Sequence, residues 1–86
     1  MKSFSVSILT EEKAVYSGEV VSLIVPAALG YLGVLADHAP LFACLTAGKI
    51  IVRENETAQP AIFQSQGKGF LEVLKNKVTL ILDAVS

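Results

Sequence analysis

The strongest constraint in this 86-residue sequence is a hydrophobic repeat of two. In Ser3-Phe4-Ser5-Val6-Ser7-Ile8 apolar residues alternate with serines. A strand turns successive side chains to opposite faces, so this spacing makes one dry face and one wet face, whereas a helix would scatter the same residues around its circumference. Val20 to Val25 is rich in β-branched residues and reads as a strand that stops at Pro26, which has no N–H to give to a ladder. Lys49-Ile50-Ile51-Val52-Arg53 is another strand. Glu54-Asn55-Glu56-Thr57 then turns the chain, and Ala61-Ile62-Phe63 returns as the second arm of a hairpin. Phe70 to Leu74 and Val78 to Leu82 flank Lys75-Asn76-Lys77, which predicts a second, tight hairpin. No segment holds a helical period long enough for a stable amphipathic helix. The fold class is therefore all-β, a sandwich or barrel of short strands in a single domain spanning residues 1–86.

A body this small buries only about 60–65% of the surface its unfolded chain exposes. Yet 52% of the residues are hydrophobic and the mean hydropathy is +0.58. So apolar a chain cannot hide all of those side chains, and some are expected to face another protein. Seven Lys and Arg against eight Asp and Glu leave a net charge of −1, without a basic patch for nucleic acid or a polybasic run for an anionic membrane surface. The single cysteine, Cys44, has no disulfide partner in the chain, which suits a reducing compartment. The alternating N-terminus lacks the continuous apolar run of a signal peptide. The longest uncharged stretch, Val20 to Ala36, is broken by Pro26, Gly30 and Gly33 and reads as two short strands and a loop rather than a membrane span.

The residues for catalysis are sparse. His38 and Cys44 are the only histidine and the only cysteine, too few for a zinc site. A thiol enzyme using that pair is one alternative; the plainer reading is a turn histidine, largely exposed, and a small buried core thiol. Gly48-Lys49 lacks the upstream glycine and the following Ser or Thr of a phosphate-binding loop, and Gly67-Lys68-Gly69 lacks the third glycine of a dinucleotide site. Glu11-Glu12 reads as a solvated corner. No cofactor is expected.

One loop is unlike the others. Pro26-Ala27-Ala28-Leu29-Gly30-Tyr31-Leu32-Gly33 has the glycines and proline of a turn, yet it carries Leu29 and Tyr31 where a surface turn is normally polar. Two readings stand side by side: these side chains fold back to seal the end of the core, or they project into a partner. The next stretch, Leu35 to Leu41, is a second turn built on Asp37 and Pro40.

These same residues carry a resemblance. Gly30-Tyr31-Leu32-Gly33-Val34-Leu35-Ala36-Asp37-His38-Ala39-Pro40-Leu41 resembles the pattern Gly-Glu-Leu-Gly-Val-Leu-Pro-Gly-His-Ala-Pro-Leu of the ATP synthase epsilon subunit family, called delta in mitochondria. Tyr16-Ser17-Gly18-Glu19-Val20, Leu45 to Ile50, Gly67 to Val73, and Asn76 to Thr79 followed by Asp83-Ala84 resemble further family motifs in the same order. The resemblance implies a flattened sandwich of about ten short antiparallel strands in two five-stranded sheets. It implies a non-catalytic subunit of the rotor's central stalk, at the cytoplasmic face of a bacterial inner membrane, which couples ion translocation to ATP synthesis without inserting into the bilayer or binding nucleotide. Its partners would be the gamma subunit and the polar loops of the c-ring. Carried over by position, Ala28, Leu29, Gly30 and Tyr31 would touch the c-ring, and Thr10, His38, Ala39, Leu41 and Phe42 would face gamma. The family's glutamate is Tyr31 here, and its Pro-Gly is Ala36-Asp37. The C-terminal helical hairpin of typical members is expected to be absent. The alternatives are a biotinyl- or lipoyl-type carrier domain with its modified lysine at Lys75 or Lys77, and a generic β-sandwich adaptor.

Overall fold

The computed structural model describes residues 2–86. Eight strands follow one another: β1 (Phe4–Thr10), β2 (Ala14–Val20), β3 (Ser22–Ala27), β4 (Gly30–Val34), β5 (Leu41–Leu45), β6 (Gly48–Arg53), β7 (Ala61–Leu74) and β8 (Lys77–Val85). No helix occurs among the described residues. The strands form one hydrogen-bonded network in the order β2-β1-β8-β7-β5-β3-β4, with β6 pairing β3 and β7.

The two long strands serve this network twice. The first part of β7, Ala61–Ser65, pairs with β6, and its second part, Gly69–Val73, pairs with β5. β8 follows it around, pairing Lys77–Leu82 with the second part and Ala84–Val85 with the first. Two five-stranded layers result, β2-β1-β8-β7-β5 and β4-β3-β6-β7-β8. The expected ten strands are thus eight, two of which run through both layers. The corner lies at the register break between Gln66 and Gly69. Gly67 takes φ 94° there, a conformation that side chains disfavour, and Gly69 packs so closely that an added Cβ would lie 2.6 Å from the Ile81 carbonyl oxygen.

Alternation supplies the core. Phe4, Val6 and Ile8 of β1, Leu71 and Val73 of β7, and Val78, Leu80 and Leu82 of β8 point inward from the first layer. Leu23 and Val25 of β3, Val34 of β4, and Ile50 and Val52 of β6 meet them from the second in the same cluster. Burying each such side chain contributes about 1.5–3 kcal/mol.

Local reading succeeds where partners are close in sequence. The β6–β7 hairpin forms as expected, and Lys75 and Asn76 (φ 50° and 61°) make the two-residue turn between β7 and β8. Positive φ at both central residues matches the right-handed twist of the flanking strands. Four expectations need correction. β1 and β8 pair in parallel, Ser5 with Lys77 through Thr10 with Leu82, so the sheet is not wholly antiparallel. The run Val20–Val25 belongs to two strands, parted at Val21, whose amide donates to the Arg53 carbonyl at 2.8 Å. Pro26 lies inside β3 rather than ending it. Its missing donor is tolerated because β3 changes partner there, from β6 up to Ile24 to β5 at Ala27. Finally, Gly30–Val34 is a strand, so the turn after Pro26 shrinks to Ala28-Leu29.

Candidate functional site

The β3–β4 tip projects. Leu29 is fully exposed and Tyr31 is 62% exposed, so neither folds back to seal the core. Behind the tip lies a shallow, mostly apolar groove of about 440 Å³, lined by Ala27–Leu32 and Leu41–Cys44. Its far wall is β5, where strand alternation turns Leu45 inward and Phe42 and Cys44 outward.

Phe42 continues the apolar surface beyond the groove. It is 66% exposed and stacks on Phe70 of β7 at a centroid distance of 5.6 Å. Phe70 pairs with Ile81 of β8, and Ile81 with Leu9 of β1. These side chains share the outer face of the first layer, with exposed Leu74 farther along β7, beyond Glu72, which pairs with Phe42. An apolar band therefore runs from the tip across β5, β7, β8 and β1. It ends in a second groove of about 450 Å³, floored by Leu9, Phe70 and Ile81 and rimmed by Glu11, Lys68 and Asp83. No group of three or more His, Cys, Asp or Glu side chains gathers to hold a metal among the described residues.

The family model of the ATP synthase delta/epsilon chain β-sandwich domain matches residues 3–86. The chain belongs to this ATP synthase delta/epsilon family. It is 39% identical to the ATP synthase epsilon chain of Chlorobium limicola over 85 residues, which cover 99% of this chain and 94% of that one. It is equally identical, at 39% over 79 residues, to the epsilon chain of Leptospira borgpetersenii; there the match covers 92% of this chain, which spans only 60% of the relative's length. Among solved structures, the mitochondrial ATP synthase of Euglena gracilis contains a chain of the same fold (TM-score 0.88, 17% identity, covering 98% of this chain and 52% of that one). The central stalk and c-ring structure of the Tetrahymena thermophila mitochondrial enzyme contains another (TM-score 0.79, 14% identity, covering 95% and 64%).

Within this epsilon-type sandwich the expected contact residues fall into three places. Ala28, Leu29, Gly30 and Tyr31 form the tip, and Leu41 and Phe42 line the same groove. His38 and Ala39 sit in the β4–β5 loop, which is tied to the β7–β8 turn. The Asp37 amide donates to Asn76 Oδ1 at 2.6 Å, and Asn76 Nδ2 donates to Asp37 Oδ1 at 3.0 Å. Lys2 pairs with the same carboxylate at 2.9 Å. The Asn76 hydrogen bond, and then that of Lys2, hold the Asp37 carboxyl below its ordinary 3.8. Asn76 also accepts the Ser5 amide, so this loop lies by the start of β1. Thr10 lies at the other end of β1, in the turn where its amide donates to the Lys13 carbonyl. Ser5 and Thr10 are five strand steps apart, about 17 Å.

Two side-chain readings change. Cys44 is exposed, not a buried core thiol, because Leu45 holds the inward position. His38 is half-buried rather than largely exposed, with Nδ1 2.7 Å from the Ala39 carbonyl oxygen. Sequence reasoning also missed Phe70, Ile81, Leu9 and Leu74. Phe70, Leu74 and Ile81 fall in runs that alternation marks as strands, but nothing local says which face of a strand will be left uncovered.

Proposed function

We propose that this chain is a rotor subunit of the central stalk that clamps the foot of the gamma subunit to the c-ring. The observation that carries this reading is the apolar surface standing outside an already complete core: the Leu29 tip and the Phe42–Phe70–Ile81 band. The tip, Ala28 to Tyr31, addresses the polar loops of the c-ring. The band, with Phe42 at one end and Thr10 at the other, faces gamma, and the half-buried Leu41 beside Phe42, with His38 and Ala39, flanks it. Aromatic and aliphatic side chains in the middle of a face, with charged groups at its rim, have the composition of a protein interface.

The role is mechanical. Torque from ion flow passes through this joint, and a close-packed sandwich transmits strain instead of absorbing it. The work requires neither nucleotide nor a helical hairpin. The chain would lie peripherally at the cytoplasmic face of a bacterial inner membrane, held by the c-ring; among the described residues no helix is long and apolar enough to cross a membrane.

Capture of purified gamma and of detergent-solubilised c-ring on the immobilised chain tests the two contacts separately. Leu29→Ser should reduce c-ring capture and spare gamma. Phe70→Ser should reduce gamma capture by about tenfold or more, as loss of a central aromatic anchor does. Wild-type capture of both partners by both folded variants would refute the assignment.

A further inference from the structure

We propose that Tyr31 is a positioning residue: its hydroxyl clasps the partner-binding tip to the start of β6 and thereby sets the pose of Leu29. The inference rests on the tip contact proposed above, but the clasp has its own geometry. Tyr31 Oη accepts the backbone N–H of Lys49 at 3.2 Å.

The register explains why that amide needs an outside partner. β3 and β6 pair Ser22 with Arg53, Leu23 with Val52 and Ile24 with Ile51. Two further steps along the same register would set Pro26 against Lys49. Arg53 turns its carbonyl toward β3, accepting the Val21 amide, so Lys49 on the same parity turns its N–H toward β3 as well. There the Pro26 carbonyl would be the natural acceptor. It is taken instead by the Thr46 amide at 2.8 Å, because β3 has already changed partner. Tyr31 stands opposite Pro26 on β4 and fills the gap with a side-chain oxygen.

Gly48 makes room for this arrangement. A Cβ at that position would lie 2.7 Å from Pro26 Cβ and 3.0 Å from Tyr31 Oη. The tip is thus fastened on both sides of Leu29. Behind it the Ala28 amide donates to the Cys44 carbonyl at 3.0 Å, and ahead of it Tyr31 reaches β6. A side chain that projects fully into solvent binds better when its backbone is already held, since less conformational entropy is lost on docking.

Tyr31→Phe keeps the ring and removes only the hydroxyl. Native-state hydrogen exchange, the thermal midpoint and affinity for detergent-solubilised c-ring are compared among the wild type, Tyr31→Phe and Leu29→Ser. The expected result for Tyr31→Phe is Lys49 amide exchange faster by about tenfold, an unchanged midpoint, and c-ring affinity weaker by about three- to tenfold. Leu29→Ser should weaken the affinity and leave Lys49 exchange alone. Unchanged Lys49 exchange in Tyr31→Phe overturns the clasp. Wild-type c-ring affinity in Tyr31→Phe, beside a weakened Leu29→Ser, overturns its positioning role. Wild-type affinity in Leu29→Ser removes the tip contact itself, and the exchange data still decide the clasp.

Discussion

Replacing Gly69 with alanine should be among the most damaging conservative changes available to this sandwich. The added Cβ would meet the Ile81 carbonyl oxygen at 2.6 Å, Leu82 Cδ2 at 2.8 Å and Leu82 Cα at 3.4 Å. Ordinary contact begins near 3.5 Å, so the oxygen is too close by roughly 1 Å. That oxygen is backbone, held in the ladder where β7 pairs with β8. No rotamer change relieves the clash, so one strand must shift at the corner that joins the two layers. Overpacking of this kind costs about 1–3 kcal/mol, and a rigid backbone obstacle puts Gly69→Ala near the upper end. For a domain of this size each kcal/mol moves the midpoint by about 4–8 °C, so the loss should be roughly 10–20 °C. Gly33→Ala is the control, because a Cβ there meets nothing within 4 Å. It should be neutral or slightly stabilising, by restricting the unfolded chain. Thermal and urea unfolding followed by circular dichroism measure both variants. Midpoints for the two that agree within a few degrees would refute the steric argument.

Three other outcomes follow from individual side chains. Ser65 is fully buried and its hydroxyl has no partner among the described residues, so Ser65→Ala should be neutral or stabilising by up to about 1–2 kcal/mol in urea unfolding; a loss above that size would reveal a partner for the hydroxyl. The Tyr16 phenol is pushed up from 10.0 to about 12, first by partial burial and then by its 2.6 Å hydrogen bond to the Glu54 carboxylate and that group's charge. The folded state keeps a proton that the unfolded chain releases, so this contribution is intact below pH 10 and fades as pH rises toward 12. Tyr16→Phe should remove that part of the alkaline decline, as read from paired stability–pH curves. The depressed carboxyl of Asp37 runs the opposite way: the contribution its carboxylate makes through Asn76 and Lys2 is intact above pH 3.8 and fades as pH falls below that toward its lowered folded-state value. Asn76→Gly keeps the positive-φ turn but removes both links, so the Asp37 carboxyl should titrate higher by nuclear magnetic resonance and its amide exchange faster.

Much of this protein was legible before any coordinate. Period-two alternation at Ser3–Ile8, and the Asn76 turn between two apolar runs, depend on residues a few positions apart and need no knowledge of the rest of the chain. They establish strands, hairpins and the all-β class. The motifs around Gly30–Leu41 carried the family resemblance, and the departures at Tyr31 and Asp37 were visible there as well. Tertiary structure alone decided what lies between distant residues. The parallel pairing of β1 with β8, the use of β7 and β8 in both layers, and the outward turn of Cys44 depend on contacts many residues apart. The same holds for the tip. Sequence shows that Leu29 and Tyr31 are misplaced for a surface turn, but whether they seal the core or leave it depends on how completely β3, β4 and β6 fill it without them. Alternation says that a strand has two faces; only packing against another layer says which is covered and which is left for a partner.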